Sequence, residues 1–385
     1  MLSSIFSKPS THAIIGVFAA TFIVIGLQWD ISWHESIGRD SLWSPPHIVI
    51  YLGGILGGAA SGLIVLKTTF GKNKKLKDGS VSFWGFKGPI GAWVSIWGAI
   101  AMLTSAPFDD WWHNAYGLDV EIISPPHTLL ALGFFSIIIG TMLIILSRQN
   151  TADDGNNQFY SKLYTYSGSI ILLMMMIFTM EKSFSNKMHS LEFYKIVAMG
   201  FPILLVAIHR SSRFPWPATT AAAICTLHRI LVIWIFPQFD AEPMLGPIYR
   251  PVDYMVAPPF PVLIILPAIG LDWIMMKWKQ NDWFLSAIIG FSFILILLPF
   301  QWYFAEFLLS ENAQNIIFGE SFNKPYWAPI GDFNYQFWKH DFTPTGHKIP
   351  LTAVTPFGLL LVAIYGMVSS RLGLWWGNWL KEVKR

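Results

Sequence analysis

The chain has 385 residues, 53% of them hydrophobic and 13% charged, with a formal net charge of +3 and one cysteine. Apolar residues arrive in runs about twenty long, the length a helix needs to cross a hydrocarbon core, which excludes an ordinary soluble domain. The single Cys225 excludes an internal disulfide or a thiolate cluster, and there is no basic, aromatic-interleaved stripe of the kind that binds nucleic acid.

In chain order the apolar runs predict an all-α fold, a polytopic integral membrane bundle of about ten transmembrane helices in a single membrane domain spanning 1–385. The helices are expected at about 11–28, 47–66, 89–106, 127–147, 162–180, 192–208, 217–236, 259–276, 283–301 and 351–369. The first run, Ala13 to Leu27, follows Lys8 as a signal peptide would, but no small-residue cleavage site precedes the next polar stretch, so it reads as a retained span. Lys67, Lys72, Lys74, Lys75, Lys77 and Lys87 crowd one connection, and Arg210, Arg213, Lys277, Lys279, Arg371, Lys381, Lys384 and Arg385 fall on the same side. Lysine and arginine gather in cytoplasmic loops, so both termini are expected in the cytoplasm of a cell with a bacterial-type inner membrane. Residues 302–350, rich in aromatics, Asn, Pro and Gly, are expected to form an extracytoplasmic cap, and 351–385 the last helix and a basic tail.

One polar pattern occurs twice in this apolar background. Asp30, His34, Asp40 and a Ser-Pro-Pro-His ending at His47 are followed by Asp109, His113, Asp119 and a second Ser-Pro-Pro-His ending at His127, with one residue inserted in the second copy. Residues 11–147 therefore read as two helical-hairpin repeats. A weaker echo at Phe239–Pro261 places Met244 and Phe260 near the histidine positions, and Gln301-Trp302 echoes Gln28-Trp29, so 162–301 reads as a degenerate repeat region.

In each copy the Asp and the first His are four residues apart, which on a helix puts both side chains on one face. The second His follows Pro-Pro, a common helix opening, so it belongs to the first turn of the next span. Three ligands thus converge from two helix ends. One carboxylate and two imidazoles suit copper, Fe(II), zinc or manganese and leave a coordination position open for water, oxygen or substrate. Asp40 and Asp119 are candidates to orient an imidazole from outside the ligand set, while Glu35 and Glu121, present in one copy each, would distinguish the two sites. The plainer reading is that the same residues cap helices and hydrogen-bond carbonyls at the membrane surface, since a repeated fold also repeats its caps.

His228 and Arg229 fall near the middle of the seventh span, where an ionisable group is either functional or paired internally, with Glu181 or Glu306 as the acids within reach. Met174, Met175 and Met176 read as core filler, and Gly53, Gly54, Gly57 and Gly58 as close helix contacts. His340 and His347 flank Asp341 with spacing too irregular for a metal site.

From Gln28 to His127 the chain resembles the C subunit of the copper membrane monooxygenases, the family of particulate methane and ammonia monooxygenases. That subunit carries an Asp, His, His set spaced like Asp30, His34 and His47, then an Asn, His, His set spaced like Asp109, His113 and His127; here an aspartate stands in place of the amide. The resemblance implies that these six residues bind copper and activate dioxygen to hydroxylate a small substrate of the hydrocarbon or ammonia class. It also implies additional subunits, including a soluble copper or electron-donor domain. The residues themselves leave the metal open between copper, non-haem iron and zinc. They also leave open a non-catalytic metal- or haem-binding subunit of a respiratory or assembly complex, although the aspartate favours a non-haem metal. A transporter is disfavoured because the acids gather at one face rather than at mid-membrane.

Overall fold

The computed structural model describes residues 9–38, 42–72, 74–117, 124–151, 154–179, 189–244, 253–258, 260–279, 281–308, 310–315 and 354–384. Ten helices account for most of these. They are α1 (Pro9–Ser36), α2 (Pro45–Phe70), α3 (Ile90–Tyr116), α4 (Pro125–Thr151), α5 (Asp154–Phe178), α6 (Leu191–Ser211), α7 (Pro217–Ile235), α8 (Ile265–Lys277), α9 (Asp282–Leu308) and α10 (Pro356–Glu382). Among the described residues nine helices are long and apolar enough to cross a membrane, and α8, with 13 residues, is the exception. The protein is an all-α polytopic membrane bundle.

Several helices differ in extent from the sequence expectation, each for a local reason. α1 and α3 continue past the apolar run, so Asp30, His34, Asp109 and His113 sit on their last turns and not in loops. A helix of 28 residues is about 42 Å long, which exceeds a hydrocarbon core of about 30 Å and leaves its end among headgroups, where polar side chains are solvated. α5 likewise starts earlier, at Asp154, and α10 runs to Glu382 through what was expected to be a tail. The latter starts at Pro356, with the Thr355 hydroxyl accepting from the Gly358 amide at 3.0 Å. α9 extends to Leu308, so the first residues of the expected cap are helical, and 316–353 lie outside the described residues.

The largest departure is at α8. Its predicted start at 259 falls in a run containing Pro258, Pro259 and Pro261, which removes amide donors and pushes the preceding residues into extended backbone. Helix therefore begins only at Ile265. The segment before it is buried, with Val256, Phe260, Val262 and Ile264 all nearly inaccessible. Other side chains satisfy its backbone. The Ser36 hydroxyl accepts from the Val256 amide at 2.6 Å, and the fully buried Gln301 accepts from the Leu263 amide at 2.8 Å and donates to the Pro261 carbonyl at 3.2 Å.

α1 packs on α2 and α3 on α4, and α2 lies against α3 while α1 lies against α4, so both motif hairpins form one four-helix unit. The contacts repeat between copies. A Cβ added at Gly53, six residues after His47, would lie 2.7 Å from the Ala19 carbonyl, and one at Gly133, six after His127, would lie 2.9 Å from the Gly98 carbonyl. α5 packs on α1, α4 and α7, and the remaining helices continue around it through α8, α9, α10 and α6. Met174 and Met176 are buried in this core, as the filler reading expects. The basic connection between α2 and α3 holds a single helical turn (Lys74–Lys77) and a short antiparallel hairpin, β1 (Val81–Phe83) and β2 (Phe86–Gly88), which the sequence pattern did not announce.

Candidate metal centre

The sequence Ser-Pro-Pro-His builds a helix start with its histidine in a fixed place. In α2 the N-cap is Ser44, and Pro45 and Pro46 fill the next two positions, where the missing amides cost nothing because a first turn has no acceptor for them. The first amide that needs a partner belongs to the histidine. In the second copy the Ser124 hydroxyl accepts from the His127 amide at 3.3 Å. The opposing helix ends alike in both copies. Gly38 (φ 104°) and Gly117 (φ 90°) each lie four residues after the first histidine, in the left-handed region that glycine adopts freely and that stops a helix.

This scaffold brings the first triad together. Asp30 Oδ1 lies 3.1 Å from His47 Nε2, and Asp30 Oδ2 lies 3.8 Å from His34 Nε2. One ligand atom from each residue falls within 4.8 Å of the other two, close enough that the group could hold one ion after a small contraction. The Asp30 side chain is 15% exposed and His34 43%, so the carboxylate is sheltered while one imidazole faces outward. Tyr51, one turn along α2, has its ring 6.0 Å from that of His47, and Trp43 packs edge-on against Tyr51.

The second triad is the same in connectivity and looser in geometry. Asp109 Oδ2 lies 3.3 Å from His113 Nε2, and Oδ1 lies 3.6 Å from His127 Nε2. The three do not gather within 4.8 Å, and among the described residues the first triad alone meets that distance. Exposure is redistributed too, with His113 at 12% and His127 at 37%. α3 carries Pro107 two residues before Asp109, where α1 has Gln28 before Asp30. An interior proline removes one helical hydrogen bond and bends the last turns, a local reason for the wider spacing. His113 Nδ1 lies 3.3 Å from the Gly117 carbonyl, the kind of contact that fixes a ring when its other nitrogen is a ligand.

Whether these residues suit a metal is tested by their hydrogen bonding. Asp30 Oδ1 and Asp109 Oδ1 are both buried, and neither has a hydrogen-bond partner among the described residues, although each lies near a histidine nitrogen. A buried carboxylate oxygen without an aligned donor is costly, and a cation shared with the neighbouring histidine nitrogens is one partner that would satisfy it. The residues fit a divalent first-row ion bound by one oxygen and two nitrogens.

Of the proposed orienting residues, Asp40, Asp119 and Glu121 lie outside the described residues, and Glu35 is half-buried on the last turn of α1. His228 and Arg229 do not belong to either triad. Their shared acceptor is the buried Gln28, whose Oε1 lies 3.2 Å from His228 Nε2 and accepts from Arg229 Nη1 at 3.1 Å. Glu306 lies 3.4 Å from His189, and Glu181, like His340, Asp341 and His347, lies outside the described residues. Three polar pairs were not foreseen: His189 with Glu306, His209 with the fully buried Asp272, and His12 with Lys67. Each joins residues far apart in the chain, so no local pattern marks them. A cavity of about 530 Å³ lined by Asn150, Ser211, Arg213, Asn378 and Lys381 lies at the C-terminal end of α4, a helix length away from His127.

The end of α1 is also clamped from outside the hairpin. The Met244 amide donates to the Ile37 carbonyl at 2.8 Å, and Ser36 accepts from Val256, so the segment that lacks histidines supports the one that has them. No protein-family model, curated protein or solved structure matches the chain, and the two hairpins are known by their own geometry alone.

Proposed function

We propose that this is a membrane-embedded metal protein whose primary site is Asp30, His34 and His47, working as a copper oxygenase or as the metal-bearing subunit of one. The observation that carries this reading is the first triad, with three ligand atoms within 4.8 Å of one another and a buried carboxylate oxygen 3.1 Å from His47 Nε2 without an aligned hydrogen bond. A bound copper ion would supply dioxygen binding and electron transfer at its open position. The protein's own part is to hold two imidazoles and one sheltered carboxylate on converging helix ends. His34, the most exposed member of the triad, marks the side from which a small substrate approaches. Asp109, His113 and His127 form the second site, which must contract to hold an ion. In this reading both termini are cytoplasmic, the triads lie at the outer face of a bacterial-type inner membrane, and a partner subunit delivers electrons.

The test is the metal content of the purified full-length protein. We expect close to one tightly held copper per chain, with an electron paramagnetic resonance signal showing nitrogen coupling, and loss of both in His34→Ala. Protein that stays metal-free after copper loading, or His34→Ala that retains its copper, overturns the reading. A second reading is a non-catalytic metal-binding subunit, which the same ligand set would equally serve. Metal-replete protein supplied with an electron donor separates the two, because only an oxygenase consumes dioxygen in proportion to hydroxylated product.

A further inference from the structure

The β1–β2 hairpin is joined by the two-residue loop Trp84-Gly85, with φ of 48° and 83°. Both values are positive, as a tight two-residue hairpin turn requires, and Asn-Gly is the pair that usually meets the demand. A tryptophan in the left-handed region is strained, and Trp84 is in addition 82% exposed. Strain and exposure at one large apolar side chain call for something that covers it.

The hairpin is held in one orientation. Thr69 Oγ1 accepts from the Lys87 amide at 2.8 Å, Trp93 Nε1 donates to the Val81 carbonyl at 3.1 Å, and Phe86 packs edge-on against Phe70. At the tip, the Phe83 ring lies 5.5 Å and the Trp84 ring 6.2 Å from that of Trp97. Trp97 is seven residues into α3, about 10 Å along its axis from Ile90. The hairpin therefore folds back along the span instead of projecting from its end. Side chains on a helix lean towards its N-terminus, so these rings meet Trp97 less than about 10 Å from the level of Ile90, near the boundary between headgroups and hydrocarbon.

In the same connection stand Lys72, Lys74, Lys77 and Lys87, and the Lys74–Lys77 turn packs against β2. Tryptophan at the boundary with lysine just outside it is the composition of an interfacial anchor, the ring taking the amphipathic layer and the ammonium groups the anionic headgroups. We propose that the β1–β2 hairpin is an interfacial anchor that inserts its Trp84 tip at the headgroup boundary and gathers anionic lipid beneath Lys72, Lys74, Lys77 and Lys87. This is independent of any metal at the triads.

A nitroxide at Trp84→Cys tests the insertion, because Cys225, the chain's single cysteine, is fully buried and escapes labelling. In vesicles of phosphatidylcholine and phosphatidylglycerol the label should collide more with oxygen than with a water-soluble nickel chelate. Spin-labelled phosphatidylglycerol should associate with the unlabelled wild-type protein at least about twofold more strongly than phosphatidylcholine. That preference should vanish in the variant carrying K72Q, K74Q, K77Q and K87Q. Should that variant fail to fold, the same preference in wild-type protein should fall as salt is raised. A tip that collides mainly with the chelate, which would leave its patch for a protein partner, overturns the proposal. So does wild-type protein that does not distinguish the two lipids.

Discussion

Replacing Asp30 by Asn separates a metal site from a hydrogen-bonded clasp, because the two readings predict opposite signs. Asp30 is 15% exposed, and its buried Oδ1 lies 3.1 Å from His47 Nε2 without an aligned hydrogen bond. Without metal, such an oxygen costs about 1–3 kcal/mol, so an uncharged amide of nearly the same shape should leave the metal-free protein as stable as wild type or more so. With metal the order reverses. At a free metal concentration one hundred times Kd, binding stabilises the native state by about 2.7 kcal/mol. Loss of a ligand weakens affinity by at least the ~100-fold that loss of an outer partner can cost, which brings Kd to the working concentration and leaves about 0.4 kcal/mol. The metal-induced gain should therefore shrink by about 2.3 kcal/mol. Thermal unfolding in detergent, with chelated and copper-loaded samples of both proteins, measures the difference. If Asp30 instead clasps the two histidines by ordinary charged hydrogen bonds, Asp30→Asn should lower the stability of the metal-free protein by about 1.5–3 kcal/mol and leave any metal shift unchanged. That outcome would refute the metal assignment.

Three further outcomes are expected. His47→Ala should remove the tighter class of bound metal, while His127→Ala should affect only a weaker second class, because the second triad is the looser one; equal effects in a metal titration would contradict this ranking. Gly98→Ala places a methyl group 2.7 Å from Ser136 Cβ and 2.8 Å from the Gly133 carbonyl, and should cost about 1–3 kcal/mol in thermal unfolding, whereas Gly62→Ala, with nothing within 4 Å, should be neutral or slightly stabilising. Gln28→Leu strips His228 and Arg229 of a shared acceptor in the core and should destabilise by about 1–3 kcal/mol, with Gln28→Glu markedly milder in the same measurement.

The spans were legible in the sequence because about twenty consecutive apolar residues admit few alternatives in a bilayer. The Ser-Pro-Pro-His helix starts were legible for a local reason, since two prolines and a serine specify a first turn whatever packs against it. The helix ends were less so. α1 and α3 run on through polar residues until Gly38 and Gly117, because a helix ends where its backbone turns and not where its apolar run stops. Before α8 the apolar pattern continues across three prolines that forbid helix, so hydropathy alone places its start too early. The β1–β2 hairpin carries a tryptophan where turn chemistry calls for asparagine, so the usual signal was absent. Gln28 with Arg229 and His209 with Asp272 are tertiary meetings of single polar residues, and no spacing rule brings them together.

The extended run before α8 has a consequence for how the protein is made. Lipid offers no partner to a bare peptide group, and the Leu263 amide and Pro261 carbonyl are matched by Gln301, which lies on the following span. During synthesis that glutamine emerges some forty residues after the groups it serves. α8 cannot settle in chain order, and it must wait at the insertion machinery or the membrane surface until α9 arrives. Release into the bilayer is then a paired event, and a nascent chain halted between the two helices is the form that quality-control proteases should recognise.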